Sequence, residues 1–296
     1  MERIAIGLSD PASQKAVDWV IDRAQSRTVE VTLVAAFARI RTPSSQVTEL
    51  LRTARERIGN ASPRTVVHLV PVDGDPIRAL VEASERADLV VVGAHARGGL
   101  ASWREAPSLT VARSVRSATV IVPEGWHPTG LGTVLVGVDD DSSASALAFA
   151  AREAEQRGAQ LEVVRAWTAP LPAYDPLVWI VDTEGELRLA NRARLDEAVT
   201  AVRSEHPGMR VRSTLAECLA NIALRDRAAH ADLIVLGTHR RGPITGLVTG
   251  STARELLKDV DIPLCIVPRE RQETSRRSHA ATPAAAATAS TATATA

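Results

Sequence analysis

The chain has 296 residues with 35 acidic and 35 basic side chains. That length accommodates two ordinary domains, and the zero net charge excludes a polyanion-coating surface as its main business. Cys218 and Cys265, its two cysteines, exclude a disulfide framework or a cysteine metal cluster. No run approaches the ~20 apolar residues of a membrane span, and no leader-like segment follows Met1. The sequence therefore reads as a cytoplasmic protein without membrane or nucleic acid as partner.

Short β-rich runs occur at residues 4–8, 30–37, 65–71, 88–93 and 119–122, with longer amphipathic stretches between them. The first of those stretches carries Ala16, Val17, Val20, Ile21 and Ala24 at helical spacing. A Pro- and Gly-rich linker at 124–132 follows. A second series of strand-like runs then occupies 134–138, 161–167, 210–215, 232–237 and 264–267, and Ala146, Leu147, Ala150, Ala151 and Ala154 repeat the helical stripe. Runs such as VLVGV and LIVLG are apolar at successive positions, as in strands buried on both faces. Strands alternating with helices predict parallel sheets covered by helices. After the second strand of the second series, residues 168–182 contain three prolines, Tyr174 and Trp179. They read as a packed surface loop or an interdomain contact, with a cleft-covering loop as the alternative. Residues 269–296 are rich in Arg, Ser, Thr and Ala. They lack the large apolar side chains that would offset ordering entropy, so disorder is expected there.

The second series is the first one over again. Gly7 falls on Gly137, Ala16 on Ala146, Trp19 on Phe149, Arg27 on Arg157, Ala36 on Ala166 and Phe37 on Trp167, without a gap. Later, ADLVVVGAHARGG is echoed by ADLIVLGTHRRGP, which places Gly93 on Gly237. A repeat this long is a duplicated domain rather than a solenoid. The expected units are residues 1–123 and 133–268, flanking the linker and preceding the tail.

In an open α/β sheet, ligands bind beyond the C-terminal strand ends where strand order reverses. In the second copy those positions hold Asp139 after the first strand, Ala166 near the end of the second, and GTHRRGPITGLVTGST after the fourth. Gly237 would let the chain turn off its strand and admit a ligand close to the backbone. Gly250 allows a similar approach where the helix STARELLKDV begins. Ser251 and Thr252 set hydroxyls beside the free N–H groups of its first turn, an arrangement suited to phosphate. Taken alone, Gly250 and Ser251 read as an ordinary helix cap. His95 and His239 follow equivalent strands, but no Asp, Glu or Cys stands at metal-ligand spacing from either.

VGVDDDSS, VVRAW, ADLIVLGTHRRG and the closing PLCIVP together resemble the universal stress protein A-like family, in the tandem form common among actinobacteria. The resemblance covers both copies. It implies two tandem Rossmann-like domains of the adenine nucleotide alpha hydrolase-like type, each a five-stranded parallel sheet flanked by helices. Nucleotide-binding members carry G-x2-G-x9-G-[ST] after the fourth strand, which maps onto Gly237 and Gly250-Ser251. Arg240 stands where the family has its second glycine, and it either crowds a phosphate or pairs with its oxygens. The family's adenosine-contacting Asp matches Asp139, and the residue whose backbone meets adenine matches Ala166. The first copy departs further. Ser9 replaces the Asp and Ala96 replaces the second Gly. The Gly-[ST] pair falls on Ala106-Pro107 counting forward, or on Leu109-Thr110 counting back through TVARSV. That copy reads as a scaffold.

The resemblance thus implies a non-enzymatic stress-response protein that binds ATP or a related adenine nucleotide mainly in its second domain. A nucleotide-independent, partner-binding stress module is the alternative, ahead of a weak ATPase. The resemblance also implies pairing of the two domains within one chain through the runs at 119–122 and 264–267, with homodimers left open.

Overall fold

The computed structural model describes residues 1–9, 13–37, 45–94, 107–139, 143–169, 183–238 and 251–269. The first half runs β1 (Glu2–Leu8), α1 (Gln14–Ser26), β2 (Val29–Phe37), α2 (Ser45–Ala61), β3 (Val66–Asp73), α3 (Pro76–Ser84), β4 (Leu89–Ala94), α4 (Pro107–Ser114) and β5 (Ala118–Pro123). The second half runs β6 (Thr133–Gly137), α5 (Ala144–Arg157), β7 (Gln160–Trp167), α6 (Thr183–Glu205), β8 (Val211–Glu217), α7 (Ala220–Ala228), β9 (Leu233–Gly237), α8 (Ser251–Asp259) and β10 (Leu264–Val267). The tail from residue 270, most of the proline-rich loop, and both His95 and His239 lie outside the described residues.

All ten strands form one sheet in the order β3-β2-β1-β4-β5-β10-β9-β6-β7-β8. Each half contributes five parallel strands, wound so that strand order reverses between its first and fourth. The halves meet where β5 and β10 pair antiparallel. The central strands are buried on both faces, which is why their sequences are continuously apolar. One core layer lies under α1, α2, α5 and α6, and the other under α3, α4, α7 and α8. Both layers run through the two halves without interruption.

Several repeated residues prove to be packing and anchoring positions. A Cβ on Gly137 would come within 2.9 Å of Leu236 Cδ2 and 3.3 Å of Leu224 Cδ1. A Cβ on Gly7 would meet Leu80 Cδ1 at 2.7 Å. Leu80 and Leu224 are themselves equivalent, so in each copy the same leucine of α3 or α7 packs directly onto the glycine of the first strand. The Asp of the repeated ADL motif is likewise structural. Asp88 accepts from the Arg3 N–H at 2.9 Å and from Arg3 Nη2 at 2.8 Å. Asp232 accepts from Thr129 Oγ1 at 2.5 Å and from the N–H groups of Leu131, Gly132 and Thr133 at 2.9, 2.6 and 3.2 Å. The linker wraps this carboxylate with Gly130 and Gly132 at φ of 64° and 70°, a left-handed backbone that favours glycine.

The local symmetry of the seam is legible in its register. Cys265 pairs with Val120, its counterpart in the other copy, while Leu264 faces Ile121 and Ile266 faces Thr119. This is the reciprocal pattern of a two-fold. Below the seam, α1 and α5 bring Arg23 and Glu153 together with side chains only 2% and 5% exposed. The guanidinium grips the carboxylate twice, at 2.6 and 2.8 Å, and its other edge holds Glu2 at 2.8 Å through both Nε and Nη2. Arg27 and Arg157 also reach Glu153, at 3.0 and 3.2 Å. The ring of Trp19 lies 5.1 Å from the Arg23 guanidinium and 5.8 Å from that of Arg157, a cation–π arrangement.

Burial alone would push the Glu153 carboxyl up. The hydrogen bonds from Arg23 and the charges of Arg23, Arg157 and Arg27 outweigh it and hold the group far below the ordinary carboxylate range. Arg23, which burial would lower, is raised by its bonds to Glu153 and Glu2. The folded carboxyl thus stays charged well below the ordinary value of 4.5, whereas the unfolded one takes up a proton near it. Its contribution to stability is full above about pH 5 and declines as the pH falls further. Denaturation of Glu153→Gln should show a loss of about 3 kcal/mol or more at neutral pH, narrowing against wild type below about pH 4.5. A gap that widens in acid would contradict this placement. On the opposite face of the seam, the Thr119 hydroxyl is buried and has no hydrogen-bond partner among the described residues. Thr119→Val removes that cost and should raise the unfolding free energy by about 1 kcal/mol; a lower value would be inconsistent with an unpaired hydroxyl.

Candidate functional site

The topology places the C-terminal ends of β6, β7 and β9 together beside the start of α8, at the point where strand order reverses. A cavity of about 290 Å³ opens there. Five of the sequence-derived positions line it: Asp139 just after β6, Ala166 in β7, Gly237 at the end of β9, and Ser251 and Thr252 in the first turn of α8. Arg240 and Gly250 lie outside the described residues. Val164, Leu224, Leu236 and Ile266 supply an apolar wall. The arrangement combines a carboxylate, an apolar surface and a hydroxyl-bearing helix start, as ligand pockets with a few convergent polar groups do.

Asp139 is fixed by neighbours that sequence reading missed. Its N–H donates to Ser143 Oγ at 2.9 Å, at the beginning of α5. Its backbone carbonyl accepts from Nη1 of Arg165. Arg165 is almost fully buried, and its Nη2 lies 4.0 Å from the Asp139 carboxylate. Its Nε donates to Asn191 Oδ1 at 2.8 Å, and the Asn191 amide donates to the Leu187 carbonyl one turn back on α6 at the same distance. A chain of bonds thus runs from α6 through β7 to the strand end that presents Asp139. Arg165 and Val164 point to opposite faces of β7, so the arginine supports the site from behind the sheet. A signal was present: Arg165 interrupts the apolar strand LEVVRAW at the position where the first copy has Ala35.

The first half differs at the same places. α4 begins at Pro107, at the same distance from Leu89 as Ser251 lies from Leu233. This supports counting forward, with Ala106-Pro107 opposite Gly250-Ser251. Pro107 has no N–H and no hydroxyl, so the first turn of α4 offers two donors fewer to an anion than that of α8. Ser9 provides no carboxylate where Asp139 stands. Among the described residues, no group of three or more His, Cys, Asp or Glu is placed to hold a metal ion. No described helix is long and apolar enough to cross a membrane.

The Universal stress protein family profile matches residues 1–123 and again residues 130–268. A universal stress protein of Mycobacterium tuberculosis is 30% identical over 233 residues, covering 74% of this chain and 75% of its own length. A second protein of that name from the same organism is 27% identical over 295 residues, covering 90% and 96%. Among solved structures, a universal stress protein from Archaeoglobus fulgidus aligns over 92% of this chain and 98% of its own with a TM-score of 0.66. At 18% identity that likeness is one of fold. With a match to each half and relatives of similar extent, the chain belongs to the universal stress protein family.

Proposed function

We propose that this chain is a non-enzymatic, cytoplasmic stress-response protein that takes ATP or a related adenine nucleotide in its second half. In this reading residues 1–123 and 133–268 form two domains joined by the linker at 124–132 and paired with each other within one chain. The observation that carries the reading is the convergence of Asp139, Ala166, Gly237, Ser251 and Thr252 on one cavity. Its chemistry fits a nucleotide in three parts. Asp139 accepts hydrogen bonds from ribose hydroxyls, and the apolar wall with the Ala166 backbone takes the base. The start of α8, with Ser251 and Thr252, meets the phosphates. Arg240 and Gly250 belong to the same proposed phosphate segment.

Each half contributes differently to this function. The second binds. The first, with Ser9 and Pro107 at the corresponding positions, serves as the structural partner that completes the sheet.

Two measurements test the reading. Mass spectrometry of denatured protein should release an adenine nucleotide, or added ATP should raise the melting temperature; neither release nor a shift at millimolar ATP would sink it. Asp139→Ala should weaken ATP binding by about tenfold or more, the loss of a charged hydrogen-bond acceptor, while Ser9→Ala leaves affinity unchanged. Equal losses from the two substitutions would show that the asymmetry between the halves is misassigned.

A further inference from the structure

We propose that the Arg23–Glu153 pair makes each half of this protein accept the other half and reject a copy of itself. The argument is independent of nucleotide binding. It begins with the two-fold at the seam, where Val120 pairs with Cys265 and its flanking pairs are reciprocal. In a dimer of identical halves, a residue on such an axis faces itself. Here Arg23 and Glu153 occupy equivalent positions of the two copies, and they face each other across the axis in a bidentate pair of 2.6 and 2.8 Å.

Duplication has therefore allowed a position constrained to self-pairing to become a pair of opposite charges. Burial makes the choice strict. Both side chains are nearly inaccessible, so water cannot screen a mismatch. Two first halves meeting in this geometry would set Arg23 against a second Arg23, and two second halves would set Glu153 against a second Glu153. Either places like charges in a site without solvent, the kind of repulsive element that produces specificity.

Of the flanking residues, Arg27 reaches across the seam to Glu153 at 3.0 Å, whereas Glu2 holds Arg23 and Arg157 holds Glu153 within their own halves. The partner that fits the surface of one half is thus the other half, in the same chain or in a second copy. Two chains can associate through this seam by exchanging halves, which leaves each seam with one Arg23 and one Glu153.

Full-length charge reversals test this. Arg23→Glu and Glu153→Arg each put like charges across their own seam. Each should lower the urea denaturation midpoint by about 1 M or more. Unfolded together and refolded as an equal mixture, the two variants can exchange halves, forming one seam of native polarity and one of reversed polarity. Native mass spectrometry should then show a dimer containing one chain of each kind, with most of the lost midpoint regained and no such dimer from either variant alone. The mixture remains informative if neither variant folds by itself, because the mixed dimer is then the only folded product. Wild-type midpoints for the single variants, or a mixture that forms no mixed dimer, would overturn the proposal.

Discussion

Two opposite charges withdrawn from water hold the centre of this protein. Arg23 and Glu153 carry a large desolvation cost that only their mutual contact and their flanking bonds offset. The continuous sheet runs over them, so the seam between β5 and β10 and the burial of the pair depend on each other. An apolar contact of the same shape would close the seam as tightly, but it would not distinguish one half from the other. The pair adds polarity to a join that is otherwise close to symmetric. Cys265 sits above it in the same layer, and burial, with Glu153 beside it, pushes its thiol well above the ordinary range. A thiol held neutral in this way behaves as a small apolar side chain rather than a nucleophile.

The same duplication accounts for the unequal roles of the two halves in the proposed function. Positions that dock helices or anchor strands are under identical demands in both copies: Gly7 and Gly137 beneath Leu80 and Leu224, Asp88 and Asp232 at the sheet's entrance. Positions around the switch point face no such demand once a single site suffices. There Asp139 corresponds to Ser9, Ser251 to Pro107 and Arg165 to Ala35. The divergence reaches beyond the cavity wall. The bonds from Leu187 through Asn191 and Arg165 to Asp139 belong to the second half, and they turn a strand end into a rigid mount for a carboxylate.

Strands were the most legible feature in the sequence, because β-rich runs buried on both faces leave an unbroken apolar signature and the repeat reads it twice. Each of the ten runs forms a strand, with ends displaced by a few residues, as at β3, which continues through Val72 and Asp73. The amphipathic stripe of α1 was legible in its apolar members, yet Ile21 is only partly buried while Trp19 and Arg23 are fully packed. Periodicity assigns charged residues to solvent, so it cannot reveal a buried pair whose members lie on different helices. The sign change at one repeat-equivalent position, Arg in one copy and Glu in the other, was the available clue. Asp139, Ala166, Gly237, Ser251 and Thr252 were legible as strand-end and helix-start residues, and one cavity gathers them. Arg165 was not, because an arginine inside a strand gives no indication of which backbone group it will reach.

In the proposed function two similar halves have unequal roles, and only the second binds nucleotide. Calorimetric titration of nucleotide-free full-length protein with ATP counts the sites directly. One mole of nucleotide per mole of chain is the expected result. Two moles per chain would contradict the assignment of the first half as a structural partner, and zero would contradict the site in the second.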